Sequence, residues 1–226
     1  LRTQEDQISA LISDISHQTR TPVANLQLCA QLLAEQPLTP QGQRCAQAIA
    51  AQSEKLQTLM EALVKTSRLE TGILVLHPEP GPLSPTVERA VAQYLSKAQA
   101  KQIRLSVGQM RGSALFDPKW TEEALCNLLD NAVKYTPAGG RVSVEIRPYE
   151  MFTAVCVQDT GPGIPEAEQA KIFGRFYRAP SAYQTEGVGI GLYLTRQIAA
   201  GQGGYIKVES SPGAGSIFSL YLPRES

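Results

Sequence analysis

Four prolines fall within eight residues, at Pro78, Pro80, Pro82 and Pro85. Each lacks a backbone N–H and fixes its own φ, so no helix runs through residues 71–85 (TGILVLHPEPGPLSP). This linker divides the 226-residue chain into a first domain over 1–70 and a second over 86–226. In the first part, Ile8, Ile12, Ile15, Thr19, Leu26, Ala30 and Leu33 recur mostly at three- and four-residue steps. That spacing predicts one helix with an apolar stripe. Pro37, Thr39, Pro40 and Gly42 break it. A second stripe follows through Cys45, Ile49, Gln52, Leu56, Leu59, Leu63 and Thr66. Two long helices joined by a short loop form an antiparallel hairpin. A single hairpin has few ways to bury two stripes, so pairing with a second copy into a four-helix bundle is expected, giving a homodimer.

Beyond the prolines, helical and strand-like patterns alternate. SPTVERAVAQYLSKAQAK, KWTEEALCNLLDNAVKY and a segment starting near Gly191 read as helices. IRLSVGQ, RVSVEIRPYE, FTAVCVQD, YIKVES and SIFSLYLP read as strands. Short turns between neighbouring strands predict an α+β sandwich, a mostly antiparallel sheet with helices on one face.

Composition narrows the function. Lys plus Arg and Asp plus Glu each number 21. A balanced charge leaves no footprint for non-specific nucleic-acid binding and no basic tail for an anionic membrane. No apolar run approaches the roughly 18 residues a spanning helix needs. The start (LRTQEDQISA) has no signal-peptide pattern and no Met, which suggests a piece of a longer protein. Cys29, Cys45, Cys126 and Cys156 lack metal-ligand spacing and are read as buried free thiols in a reducing compartment.

Four features of the second domain point to nucleotide chemistry. Glu123, Asn127 and Asn131 fall at four-residue steps, on one helical face. Their carboxamide oxygens suit a hard cation such as Mg²⁺, and Lys134 suits phosphate oxygens. Asp159-Thr160-Gly161-Pro162-Gly163 ends a strand, where a carboxylate can accept from an exocyclic amine. Gly187-Val188-Gly189-Ile190-Gly191 opens a helix, where backbone N–H groups cradle phosphates. Gly213-Ala214-Gly215 alone reads as a hairpin turn. Each motif by itself is weak. In this order, NLLDNAVKY, DTGPGI, IFGRFYR, GVGIGL and PGAGS resemble the ATP-binding domain of the GHKL superfamily, which includes DNA gyrase, MutL and the sensor histidine kinases. Ile172 to Arg178 is similar to the F box of the kinase branch. Ser16-His17-Gln18-Thr19-Arg20-Thr21-Pro22 is similar to the kinases' H box. His17 lies roughly 140° from Ile12 and 160° from Ile15, facing away from the stripe.

The resemblance implies the catalytic core of a bacterial two-component sensor histidine kinase, using ATP and Mg²⁺. His17 would attack the γ-phosphate, and the phosphoryl group would pass to an aspartate of a response regulator. Asn131 would hold Mg²⁺, with Asn127 supporting it or the phosphates. Lys134 and either Arg175 or Arg178 would neutralise charge, and Tyr135 would pack on the adenine. Asp159 would accept from the adenine amino group, with Gly161, Gly163 and Ile164 shaping its loop. The turn of Gly187, Gly189, Ile190, Gly191 and Leu192 would bind phosphates, under a lid over residues 179–190. Arg20 belongs to the H box, and Thr21 would position water for dephosphorylating the regulator. Gln18 departs from the usual acid and cannot act as a base, so Asp14 or water would take the imidazole proton. The same departure leaves a regulator phosphatase or nucleotide switch with a weak kinase step as an alternative. An ATP-driven clamp is disfavoured, because Asn127 stands where those ATPases carry a Glu. The resemblance also implies a cytoplasmic portion of a membrane-anchored sensor, with no membrane contact of its own.

Overall fold

The computed structural model describes residue 19 and residues 21–71, 75–179 and 188–225. Asp14, His17, Gln18, Arg20 and Gly187 lie outside the described residues, as does most of the expected lid. The chain divides into two compact units, 1–74 and 75–226.

In the first unit, residues 21–34 are helical (α1) and a short loop leads to α2, Pro40–Glu70. Thr39 caps α2, its hydroxyl accepting from the Gly42 amide at 3.2 Å, and Pro40 opens the first turn where no N–H is needed. Gln27 and Gln31 of α1 and Ala50, Glu54 and Gln57 of α2 line one groove, so the helices lie side by side. Val23 and Ala30 on α1 and Ala46 and Ser53 on α2 are buried, as are Thr66 and Ser67 near the end of α2. Seven residues separate Val23 from Ala30 and Ala46 from Ser53, a coiled-coil step.

This corrects the first half of the expected second stripe, while further along Thr66 is buried as expected and Leu59 and Leu63 are half-buried. Cys45 and Gln52 are exposed, and their neighbours Ala46 and Ser53 are buried instead. Small side chains allow close helix approach, which a count of apolar residues does not weigh. The next row holds large residues left open: Leu26 is 50% exposed, Leu33 44%, Ile49 45% and Leu56 44%. Cys29 and Cys45 are also exposed, against the reading of all four cysteines as buried, whereas Cys126 is half-buried and Cys156 buried. Burial pushes the Cys126 thiol up to about 11 and the Cys156 thiol upward as well.

The second unit begins ahead of residue 85. Glu79–Pro82 form β1, which pairs antiparallel with β3, Ser113–Phe116. Its prolines are tolerated because this two-stranded sheet is all edge. The helices are α3 (Ser84–Ala100), α4 (Pro118–Tyr135), a short α5 (Glu166–Gln169) with a 3₁₀ turn (Lys171–Phe173), and α6 (Gly191–Gly201). The strands are β2 (Arg104–Val107), β4 (Arg141–Pro148), β5 (Phe152–Asp159), β6 (Tyr205–Ser211) and β7 (Gly215–Pro223). They form a five-stranded sheet in the order β2-β4-β5-β7-β6, parallel only between β2 and β4.

Alternation places Val142, Val144, Ile146, Val155, Val157, Phe218, Leu220 and Leu222 on one face of the sheet, all buried. Leu125, Leu128, Leu129 and Val133 of α4 and Ile198 of α6 are buried as well, and α4 packs between α3 and α6. Each such leucine is worth about 1.5–3 kcal/mol of burial. With that core fixed, the opposite side of α4, carrying Glu123, Asn127 and Asn131, stays half-buried.

Candidate nucleotide-binding site

The site is assembled from the end of α4, the loop after β5 and the start of α6. Asp117 caps α4, accepting from the Trp120 amide at 3.1 Å and, through its other oxygen, from the His77 amide at 3.0 Å. At the far end Lys101 donates to the Val133 carbonyl at 3.0 Å and the Lys134 carbonyl at 2.6 Å. A cation there suits the negative helix end. It fixes the turn carrying Lys134 and Tyr135, whose ammonium sits 5.1 Å from the neighbouring ring.

Asp159 ends β5 and is only 6% exposed. Burial pushes its carboxyl above the usual carboxylate range. Hydrogen bonds from the Gly161 amide, at 2.7 Å, and from the amide and hydroxyl of Ser216 act the other way. The following loop is held on the β6–β7 hairpin. The Ile164 amide donates to the Ser210 hydroxyl at 2.8 Å, the Gly213 amide to the Pro162 carbonyl at 2.7 Å, and Gln169 to the carbonyls of Ile164 and Ser210. Gly163, at φ +72°, passes so close to Ser211 that a Cβ would lie 1.9 Å from its carbonyl oxygen. Gly161 runs against the Tyr135 backbone, a built Cβ lying 3.1 Å from its carbonyl oxygen. Thus Asp159, Gly161 and Tyr135 are brought together. The Gly213–Gly215 turn serves this loop: a Cβ on Gly215 would strike the Asp159 carbonyl oxygen at 2.1 Å.

The second glycine motif meets both α4 and the F box. Gly189, at φ +76°, lies against the backbone of Phe176 and Tyr177, and a Cβ on it would lie 2.6 Å from the Tyr177 oxygen and 3.1 Å from Arg178 Cγ. A Cβ on Gly191 would lie 3.2 Å from the Asn127 Oδ1. No side chain caps α6 at Ile190, and that residue is buried while Leu192 is half-buried. The first-turn amides of α6 therefore point into the site with the helix dipole behind them.

Beside them the Asn127 Nδ2 is buried and without a hydrogen-bond partner. A buried donor left unpaired costs about 1–3 kcal/mol. An acceptor arriving there satisfies it, and a nucleotide's phosphate oxygens fit. The carboxamide oxygens of Asn127 and Asn131 fit a hard cation in their turn. Among the described residues no cluster of three His, Cys, Asp or Glu side chains gathers, so carboxamides are the donors on offer.

The two F-box arginines separate. Arg175 lies over the Tyr193 ring at 5.1 Å and donates to its hydroxyl. Arg178 acts electrostatically on Tyr135, pulling its phenol down against the larger upward push of burial. Arg178 is thereby the arginine beside the expected adenine residue. Ser210, Ser216, Gln169, Lys101 and Tyr193 were not singled out from sequence. Ser216 faces Asp159 only through the β5–β7 register, and no local signal marks such a pairing.

Two family models match the chain. Residues 7–72 match the His Kinase A (phospho-acceptor) domain, and residues 116–226 match the histidine kinase-, DNA gyrase B- and HSP90-like ATPase. The chain belongs to the sensor histidine kinases. It is 31% identical over 225 residues to Sensor protein kinase PmrB of Pseudomonas aeruginosa, covering 99% of this chain and 47% of that protein. It is 32% identical over 235 residues to the histidine-protein kinase/phosphatase MprB of Mycolicibacterium smegmatis, with the same 99% and 47%. This histidine kinase chain thus spans about half the length of the relatives it matches. The crystal structure of full-length ShkA in complex with AMPPNP superposes with a TM-score of 0.78 at 25% identity, covering 95% of this chain and 45% of that one. The helical hairpin followed by a GHKL-type sandwich is the architecture of this family.

Proposed function

We propose that this chain autophosphorylates His17 from Mg-ATP and passes the phosphoryl group to an aspartate on a response-regulator receiver domain. The observation that carries the reading is the buried, unpartnered Asn127 Nδ2 of α4, whose side chain meets Gly191 at the start of α6, next to Gly189, where a Cβ would strike the Tyr177 carbonyl oxygen. Asp159 accepts from the adenine amino group, Tyr135 covers the ring, and the α6 amides with Asn127 hold phosphate oxygens. Arg178 and Lys134 neutralise charge as it develops, so the protein's task is chiefly positioning and electrostatics. Mg²⁺, held through Asn131 and Asn127, supplies further charge neutralisation on the phosphates.

A neutral His17 nitrogen attacks the γ-phosphorus in line, the bond to the β,γ-bridging oxygen breaks, and ADP leaves. The proton on the other ring nitrogen goes to Asp14 or water, because Gln18 cannot ionise. Absence of a positioned base is worth about 10²–10⁴-fold. Thr21, exposed on α1, positions water for the reverse duty of dephosphorylating the regulator. The name of the MprB relative, a kinase/phosphatase, supports this half. The hairpin pairs with a second copy. The parent is a membrane-anchored sensor with this portion on the cytoplasmic side. Among the described residues no helix is long and apolar enough to cross a membrane, and the relatives that support the anchoring are longer than this chain.

The test is incubation with γ-labelled ATP and Mg²⁺ beside His17→Ala. Acid-labile, alkali-stable label on the wild type and none on the variant is expected, with Gln18→Glu labelling faster. ATP binding without any label on the wild type would overturn the kinase reading.

A further inference from the structure

The F box makes a turn that its own side chains do not explain. The Tyr177 amide donates to the Gly174 carbonyl at 3.3 Å, closing a four-residue turn whose third residue, Phe176, has φ +61°. A positive φ at that place ordinarily selects Gly or Asn. Phe176 gains no burial in exchange, being 50% exposed. Residues kept in such a conformation persist only where their surroundings fix it, and they gather at functional sites. Across this turn the two arginines part company. Arg175 lies on the Tyr193 ring of α6, and Arg178 comes beside Tyr135 of α4.

The residue after Phe176 is held from outside the turn. The Tyr177 hydroxyl donates to the Glu168 carboxylate on α5, and the Tyr177 backbone lies against Gly189. The next residue of α5 ties that helix down in turn. Gln169 donates to the carbonyls of Ile164 and Ser210, at 3.0 and 2.8 Å. The Ser210 hydroxyl lies 3.0 Å from that of Ser216, which hydrogen-bonds Asp159. Just beyond α5, Phe173 meets Phe218 of β7 edge-on, with ring centroids 6.5 Å apart. Adjacent residues of one short helix thus hold the adenine-acceptor loop on one side and the arginine-bearing turn on the other. Lys171 also approaches Glu168, at 3.7 Å, but its side chain is 57% exposed, where an ion pair is worth little.

We propose that Glu168 is a positioning residue of the kinase site: it holds Tyr177, and with it the left-handed turn at Phe176, so that Arg178 faces the nucleotide while Arg175 stays on α6. The inference rests on the charge-neutralising role given to Arg178 in the proposed function. Glu168 acts through Tyr177, and what the phenol requires of it is an acceptor oxygen rather than a charge.

The full chain is assayed for its rate of His17 labelling at saturating Mg-ATP, with melting of the nucleotide-free protein alongside. Tyr177→Phe removes one hydroxyl, and Glu168→Ala removes its acceptor. Each should label up to about 100-fold more slowly, the scale for an active-site group misplaced by about 1 Å. Glu168→Gln keeps an acceptor oxygen and Lys171→Ala removes only the ion pair, so both should stay within about twofold of wild type. Arg178→Met should lose at least as much as Tyr177→Phe, and combining the two should cost nothing further. A pair that only stabilised the fold would lower the melting temperature and multiply its loss onto that of Arg178→Met. Wild-type labelling by Tyr177→Phe, multiplying losses in the double variant, or no rescue by Glu168→Gln overturns the inference. A wild type that binds ATP without labelling overturns the kinase reading instead. The same cycle is then read in the ratio of ATP to adenosine affinity, where coupling of Tyr177 to Arg178 supports the inference and its absence overturns it. A wild type that binds no ATP overturns both.

Discussion

Asp159 and Ser216 face each other across β5 and β7, and both the amide and the hydroxyl of Ser216 hydrogen-bond the Asp159 carboxylate. The acid that the sequence marks as the adenine acceptor is thus gripped by a strand 57 residues further on. It is held at 6% exposure with its charge disfavoured by burial and favoured by these donors. Desolvation is the larger effect.

Asp159→Asn separates binding from stability. The variant keeps an oxygen for the Gly161 amide but, under the proposed adenine contact, turns an NH₂ toward the amine it is meant to accept from. Losing a hydrogen bond to a charged group costs about 1.5–3 kcal/mol, so calorimetry should show roughly 10–150-fold weaker ATP binding. The sign of the pH effect follows from the raised carboxyl. Its protonated form favours the fold, a contribution present at low pH and lost as pH rises through the folded-state value. At neutral pH the variant's melting temperature should therefore be no lower than wild type, with any gain shrinking on acidification. Wild-type ATP affinity should fall on acidification before ordinary surface carboxylates titrate.

Asn127→Ala removes a buried donor that has no partner in the protein. Without nucleotide the variant should melt no lower than wild type, because an unpaired buried group is itself a cost of about 1–3 kcal/mol. With saturating Mg-ATP the wild type should gain several degrees and the variant much less. Thermal melts with and without nucleotide read both effects. A large loss in the free protein would show that the carboxamide is structural.

Gly189→Ala should be harsher than Gly191→Ala. The first puts a Cβ 2.6 Å from the Tyr177 carbonyl oxygen at φ +76°, while the second approaches the Asn127 side chain at 3.2 Å, where a small shift suffices. A left-handed conformation costs an L-residue roughly 1–2 kcal/mol before any clash. ATP affinity should be largely lost for Gly189→Ala and reduced for Gly191→Ala, with α4 helicity unchanged in both.

Much of this protein is written locally in its chain. Thr39-Pro40 and Asp117-Pro118 start α2 and α4 through local side-chain caps. FTAVCVQD is β5 to the residue. The glycine spacing around 187–191 and 213–215, the Asn pair and Asp159 stand out in the sequence as motifs, since each is contained within one turn or one helical face. Other features needed the tertiary structure. Prolines at 78–82 argued for a linker, yet Glu79–Pro82 pair with β3, because an edge strand asks little of a proline's missing N–H. The apolar count chose Cys45 and Gln52 as the inner row of α2, and helix contact chose Ala46 and Ser53, because close approach rewards small side chains over oily ones. Ser216 reaches Asp159, Lys101 reaches the end of α4 and Arg178 comes beside Tyr135 by strand register and helix packing. The chain by itself determined which chemical groups are present and the local turns that carry them. Long-range packing decided which of those groups meet, since a contact across dozens of residues leaves no periodic trace in either partner's neighbourhood.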